Sequence, residues 1–145
     1  MKFPVILVFT LLFASTSKAE IEATLTIELA GLADSQGSVF ISVYNNKDDW
    51  LSEDTTARFE VSIGEALVNE LVVTNVDLPV GEYAVSIYYD VNGNKDLDTN
   101  FIGIPKEPIA LSNNATAKFG PPRYKDAVFL LPEEGVIQRI KMTEI

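Results

Sequence analysis

The sequence predicts an all-β protein, built as a two-sheet antiparallel sandwich of about seven strands with one long ordered loop. Three observations indicate this class. Short segments alternate apolar and polar residues, Gly, Pro, Asn and Asp separate these segments, and no segment of useful length has helical periodicity. Several short strands with turn signals between them, in a chain of 145 residues, favour two packed sheets around one core.

The strands are expected in chain order wherever the alternation is clear. The first has an apolar residue at every second position, namely Ile21, Ala23, Leu25, Ile27 and Leu29. A turn at 31–37 separates it from a second strand at 38–44. Further strands are predicted at 58–63 and 67–73, joined by a turn at Gly64-Glu65, and the last two at 127–131 and 136–142.

A tight turn precedes the most regular strand. Pro79 suits the second position of a type II turn, and Gly81 can take the positive φ that such a turn requires. The strand at 83–89 follows directly. The next segment, Asp90 to Lys125, is polar and long, yet it contains apolar residues and several prolines. We therefore expect an ordered loop that folds against the sandwich.

Residues 1–19 have the pattern of a cleaved signal peptide. Lys2 gives the positive start, residues 3–13 are mostly apolar, and Ser17-Lys18-Ala19 offers small residues for cleavage after Ala19. The apolar run is shorter than the roughly 20 residues that a membrane-spanning helix needs. We predict a single domain at 20–145, periplasmic or secreted, with no membrane insertion after cleavage.

The composition excludes several classes of function. The formal net charge is −10, and loss of Lys2 and Lys18 with the signal peptide makes it −12. Such a surface repels nucleic acid and anionic lipid and attracts cations. The chain has no histidine and no cysteine, which excludes Ser-His-Asp and Cys-His catalysis and most zinc sites. We expect a protein that is not an enzyme.

One motif has the spacing of a calcium-binding loop. Side chains with oxygen atoms stand at alternate positions after the predicted strand: Asp90, Asn92, Asn94, Asp96 and Asp98. Ca²⁺ takes six to eight oxygen ligands, and a short loop around the ion presents alternate side chains inward, with position 7 contributing its backbone carbonyl. Lys95 and Phe101 replace the Gly and Glu of an EF-hand loop, so a remote carboxylate, Glu107 or Asp126, would complete the site.

The same residues have a second interpretation. Asp, Asn and Gly also cluster because they form turns, so the segment could be a solvated hairpin without an ion. The aromatic residues Trp50, Tyr83, Tyr88 and Tyr89 could stack on sugars, although alternating aromatics in a strand usually pack against their neighbours. Paired carboxylates such as Asp48-Asp49 or Glu133-Glu134 have little specificity in so acidic a chain.

The order and spacing of several motifs resemble a family of exported bacterial proteins, domain-of-unknown-function family 2141. The motifs are Leu78-Pro79-Val80-Gly81-Glu82-Tyr83, the loop from Asp90 to Asp98, Gly103-Ile104-Pro105-Lys106-Glu107-Pro108, Ser112-Asn113-Asn114 and Gly120-Pro121-Pro122-Arg123-Tyr124-Lys125-Asp126-Ala127. The resemblance implies a sandwich similar to transthyretin-like and carboxypeptidase-regulatory-like domains, and we expect a transthyretin-like or immunoglobulin-like arrangement. It implies no established activity, and it supports Glu107 as the remote ligand.

These observations lead to three hypotheses about function. The first is a calcium-stabilised binding or interaction module of the bacterial envelope, with a protein or glycan of the envelope as its partner. The second is a metal- or carboxylate-dependent hydrolase of envelope glycan or peptide, which predicts an open cleft and a carboxylate of raised pKa. The third is a purely structural domain without a ligand.

Overall fold

The computed structural model describes residues 19–117 and 119–143, so the predicted signal peptide lies outside the described residues except for Ala19. Within these ranges the chain forms nine strands, two one-turn helices and one 3₁₀ turn. In chain order they are β1 (Glu22–Ala30), β2 (Ser38–Tyr44), β3 (Ala57–Ser62), α1 (Ile63–Ala66), β4 (Leu67–Val68), β5 (Leu71–Pro79), β6 (Gly81–Asp90), β7 (Ile109–Leu111), the 3₁₀ turn (Ser112–Asn114), α2 (Tyr124–Ala127), β8 (Phe129–Leu131) and β9 (Val136–Lys141).

The strands form two sheets that pack as a β-sandwich, as predicted. One sheet has the order β4-β5-β1-β9, and the other has the order β3-β2-β6-β7 with β8 also paired to β6. The pairs are antiparallel except for β1 and β9, which run parallel with Leu25 opposite Val136. No described helix is long and apolar enough to cross a membrane.

The hydrophobic core lies between the two sheets and follows the predicted alternation. In β1 the side chains of Leu25, Ile27 and Leu29 are at most 1% exposed, and the polar residues between them face outward. The odd-numbered residues of β2 and β6 complete the core from the opposite sheet. Ile21 was expected to share this face, but it precedes β1 and is exposed.

The predicted strand at 67–73 is wrong, because the chain reverses within it. Leu67–Val68 pairs with the start of β5 in a hairpin whose two turn residues are Asn69 and Glu70. Both turn residues have positive φ, 49° and 66°, which matches the twist that favours two-residue hairpin turns. The predicted turn at Gly64-Glu65 lies within the one-turn helix α1.

The turn between β5 and β6 carries the chain from one sheet to the other. Val80 alone separates these strands, and Gly81 begins β6 without the positive φ that a type II turn would need, so that part of the prediction is wrong. The Tyr83 hydroxyl donates a hydrogen bond to the Pro79 carbonyl at 2.8 Å. This bond fixes the corner, as a tyrosine does in other sandwiches.

The five-stranded sheet is buried on both faces. Apolar side chains outside the main core cover its outer face: Phe40, Tyr44, Ala84, Tyr88, Leu111 and Ala127. The rings of Phe40 and Tyr88 stack with centroids 5.2 Å apart. This second apolar layer explains why the long polar segment is ordered. The long polar segment also contains β7, a strand that the alternation had not predicted.

Unfolding at alkaline pH is an expected consequence of this burial. Loss of water contact raises the pKa of Tyr44, Tyr83, Tyr88 and Tyr124 above the usual value. Since the folded pKa lies above the unfolded pKa, this contribution to stability is complete below about pH 10 and is lost as pH rises further. Urea unfolding at several pH values should show the decline, and stability independent of pH above 10 would contradict it.

Candidate functional site

The segment 91–108 that joins β6 to β7 is built around two buried carboxylates. Asp90 is the last residue of β6 and Glu107 lies just before β7, and they are only 5% and 4% exposed. A charged group so deeply buried needs hydrogen-bond partners to offset its desolvation. Both carboxylates obtain them from backbone N–H groups of the segment itself.

Asp90 closes the first turn of the segment. Its Oδ1 accepts the N–H of Gly93 at 2.8 Å, and its Oδ2 accepts the N–H of Lys95 at 3.0 Å. Gly93 and Lys95 both have positive φ, 73° and 69°, as is common in tight turns. The sequence pattern of Asp, Asn and Gly therefore produces a turn whose centre is negatively charged.

Glu107 ties the two ends of the segment together. Its Oε1 accepts the N–H of Val91 at 2.9 Å, and its Oε2 accepts the N–H of Asp98 at 3.1 Å. The remote carboxylate expected for a calcium loop thus lies at the base of the loop. It holds the backbone at both ends of the predicted ligand sequence.

Three of the predicted ligands converge above this base. Asn92 Nδ2 and Asn94 Nδ2 both donate to Asp98 Oδ2, at 2.6 and 3.1 Å. The amide oxygens of Asn92 and Asn94 accept the N–H groups of residues 94 and 96. Asn92 and Asn94 are therefore both within hydrogen-bond distance of one carboxylate oxygen of Asp98.

The remaining candidate ligands lie elsewhere. The Asp96 side chain is exposed, and Asp126 in α2 accepts a hydrogen bond from Arg123 at 2.9 Å. Among the described residues, no three Asp or Glu side chains lie close enough together to hold a metal ion. Any cation at this loop would consequently depend on Asn oxygens as well as on carboxylates.

Contacts from the outer face of the five-stranded sheet position the loop. The Tyr88 hydroxyl donates to the Lys95 carbonyl at 2.8 Å, and Lys95 Nζ lies 3.2 Å from Glu60 Oε2. Hydrogen bonds from Ser38 and Lys95 lower the pKa of Glu60. Sequence analysis missed this role of Tyr88, although the alternation in β6 places Tyr88 on the face opposite the core residues Tyr83, Val85 and Ile87.

The predicted sugar-stacking aromatics do not share one surface. Tyr83 is in the core, Tyr88 stacks on Phe40, and Tyr89 donates its hydroxyl to the Gln36 carbonyl. Trp50 packs edge-on between Tyr44 and Tyr124, and its Nε1 donates to the Pro122 carbonyl at 2.9 Å. The aromatic residues attach loops to the sheet, as the packing alternative predicted.

Ser112, Asn113 and Asn114 connect the two sheets. Buried Ser112 Oγ accepts the Val85 N–H at 2.8 Å and donates to the Ala127 carbonyl at 2.6 Å. Asn114 bonds the edge of β9 as a strand would, with Nδ2 donating to the Arg139 carbonyl and Oδ1 accepting the Lys141 N–H. This motif of the family resemblance has a structural role that the sequence did not reveal.

Two shallow pockets bear on the hydrolase hypothesis. One, of about 440 Å³, includes Asp49, Glu53 and Asp54, of which Asp49 accepts from Asn46 and Glu53 pairs with Arg58 at 2.9 Å. The other, of about 460 Å³, contains Asp126 paired with Arg123. Each of these pairings holds a carboxylate in a local structural contact.

Comparison with known proteins identifies a family and no characterised relative. The sequence model of a family described as an uncharacterised protein conserved in bacteria, DUF2141, matches residues 27–138. The match extends from β1 to β9 and includes the complete Asp90 to Glu107 loop. No curated protein and no solved structure matches the chain.

Proposed function

Because the chain belongs to DUF2141, a family of uncharacterised proteins conserved in bacteria, we propose a function from the loop geometry. The protein is a calcium-stabilised binding or interaction module of the bacterial envelope, periplasmic or secreted, and not an enzyme. Its partner is a protein or glycan of the envelope. The calcium ion is structural, and it fixes the long loop against the outer face of the five-stranded sheet.

The convergence of Asn92, Asn94 and Asp98 carries this proposal. If the side-chain amides of Asn92 and Asn94 each rotated by half a turn, their oxygens would replace their nitrogens beside Asp98 Oδ2. Asp90, buried at the end of β6, accepts one N–H on each carboxylate oxygen, which leaves a second lone pair on each. Oxygen ligands of mixed charge at alternate positions are those that Ca²⁺ prefers.

The same hydrogen bonds predict that the affinity is weak. Turning the two amides breaks the bonds that their oxygens now accept from the backbone of residues 94 and 96. Ca²⁺ must compensate for these losses, so we expect a dissociation constant in the millimolar range of extracellular calcium modules.

A thermal melt in EDTA and then in millimolar Ca²⁺ or Mg²⁺ tests the site, with Asp98→Asn as the variant. At ten times the dissociation constant, Ca²⁺ should stabilise the wild type by about 1.4 kcal/mol. For a domain of this size, the melting temperature then rises by about 3 to 6 °C. Asp98→Asn should lose most of this rise, because its carboxylate is at the point of convergence.

Asp96→Asn is the matched control, since it removes one negative charge from the same loop at an exposed side chain outside the convergence. It should keep the calcium-selective rise. Equal loss in both variants would reduce the effect to general attraction of cations by the acidic loop. The absence of any rise in the wild type would favour the ligand-free structural domain.

A further inference from the structure

The loop that holds the proposed calcium site ends in an exposed apolar tip. Residues 98–106 form a small hairpin, in which Lys106 N–H donates to the Asp98 carbonyl at 2.8 Å and Thr99 pairs with Pro105. Its turn presents three side chains, which we name the apolar tip: Phe101, 99% exposed, Ile102, 64%, and Ile104, 50%. Exposed apolar groups concentrated in this way mark a contact surface more often than isolated ones do.

The backbone that carries the tip, residues 100–104, is hydrogen-bonded within its own turn. Four of its five N–H groups donate within the turn. Those of residues 102 and 104 donate to Asn100 Oδ1. The Gly103 N–H donates to the Asn100 carbonyl, and the Asn100 N–H donates to the Ile104 carbonyl. Every distance is 2.9 or 3.0 Å. The three side chains are therefore held outward without further loss of backbone entropy on binding.

These bonds restrict the kind of partner that the tip fits. Specific protein interfaces carry about one hydrogen bond per 100–200 Å². The tip offers few free donors along its backbone, because four of the five N–H groups of residues 100–104 already donate within the turn. Residues 99–105 also contain no charge. Apolar side chains on an uncharged turn, with most of its N–H groups bonded internally, suit the headgroup and acyl boundary of a lipid bilayer, where apolar groups are buried and few directional contacts are needed.

We propose that the apolar tip docks on the surface of a neutral phospholipid bilayer. The net charge of −12 after signal cleavage opposes binding to anionic lipid. This repulsion does not act on zwitterionic lipid, which carries no net charge. This contact is additional to the protein or glycan partner proposed above, and it requires no metal ion.

Co-sedimentation with phosphatidylcholine vesicles in EDTA tests the proposal, using residues 20–145, which contain every described strand and helix. Phe101→Asp should lower the partition coefficient about tenfold or more, since a large apolar side chain is replaced by a charge at the contact. Phe119→Asp is the matched control, because Phe119 is equally exposed but lies in a different loop. It should bind as the wild type does.

A second variant reports directly on the position of the tip. The emission that Phe101→Trp adds to that of Trp50 in the wild type should shift to shorter wavelength with vesicles and be quenched by brominated acyl chains. Wild-type protein that stays in solution, or equal loss of binding in the two aspartate variants, would overturn the proposal. So would a concentration-dependent dimer without lipid that Phe101→Asp abolishes, because the tip would then contact a second copy of the chain.

Failure of this experiment and failure of the calcium site are distinguishable. The melt reports on Asp98 in the absence of lipid, whereas the vesicle assay reports on Phe101 in the absence of calcium. Vesicles that contain phosphatidylglycerol should bind the wild type less well than phosphatidylcholine vesicles do, and more strongly as salt screens the repulsion. Stronger binding to the anionic vesicles at low salt would contradict the apolar docking mode.

Discussion

Glu107→Gln is expected to destabilise the domain by about 2 to 3 kcal/mol and to loosen the loop from Val91 to Asp98. The carboxylate accepts N–H groups from both ends of this loop while only 4% exposed. Glutamine offers one oxygen and one NH₂ group, so one of the two part-buried N–H groups would face another donor. Loss of a charge-assisted bond, together with an NH₂ group placed against another donor at a buried side chain, accounts for this magnitude. Urea denaturation would measure it.

Hydrogen exchange locates the effect that urea denaturation averages. The amides of Val91 and Asp98 should exchange at least about tenfold faster in Glu107→Gln, because their acceptor is weakened or lost. Glu133→Gln is the control, since it makes the same chemical change at an exposed turn residue and should alter stability by less than about 0.5 kcal/mol. Equal effects of the two substitutions would contradict the role of Glu107 as the closure of the loop.

The sandwich was predictable because burial of one sheet face imposes a period of two on the strands. β1, β2 and β6 all show that period, and the structure confirms them. The hairpin at Leu67–Val72 was not predictable in this way, because Asn69-Glu70 lacks the glycine that usually marks such a turn. β7 has only three residues, too few for any period to be distinguished.

The site was predictable in composition but not in arrangement. The spacing from Asp90 to Asp98 predicted a calcium-binding loop, and the family resemblance directed attention to Glu107. Neither could distinguish an oxygen that faces an ion from one that accepts a backbone N–H, because Asp and Asn do both with the same short side chain. The hydrogen bonds of Asp90 and Glu107 depend on positive φ values and on contacts 16 residues apart.

Long-range pairing was the other feature that alternation could not predict. β1 and β9 are the first and last of the described strands in sequence, yet they are neighbours in one sheet. They run parallel, and their pairing begins with Leu25 opposite Val136. Gly135 comes directly before Val136, and its N–H donates a hydrogen bond to the Pro132 carbonyl at 2.9 Å, which closes the preceding turn. Glycine in a turn is common, so its sequence position alone gave no sign that β1 passes directly beside it.

Gly135→Ala is expected to destabilise the domain by about 3 kcal/mol. An added Cβ would lie 2.7 Å from the Thr24 carbonyl oxygen, a backbone atom fixed within β1, so one of the two strands must shift. The residue also has φ of +81°, which costs a non-glycine residue about 1 kcal/mol or more. Displacement of β9 would in addition weaken the parallel pairing with β1. Urea denaturation at neutral pH would measure the loss.

Gly103→Ala separates these two causes. Gly103 has φ of +82°, nearly the same as Gly135, but an added Cβ there would meet no atom within 4 Å. Its loss of stability should therefore reflect the backbone conformation alone, about 1 kcal/mol. If the two variants lost equal stability, the close approach to Thr24 would carry no cost. A larger loss for Gly135→Ala would show that close packing of the turn against β1 stabilises the parallel strand pair.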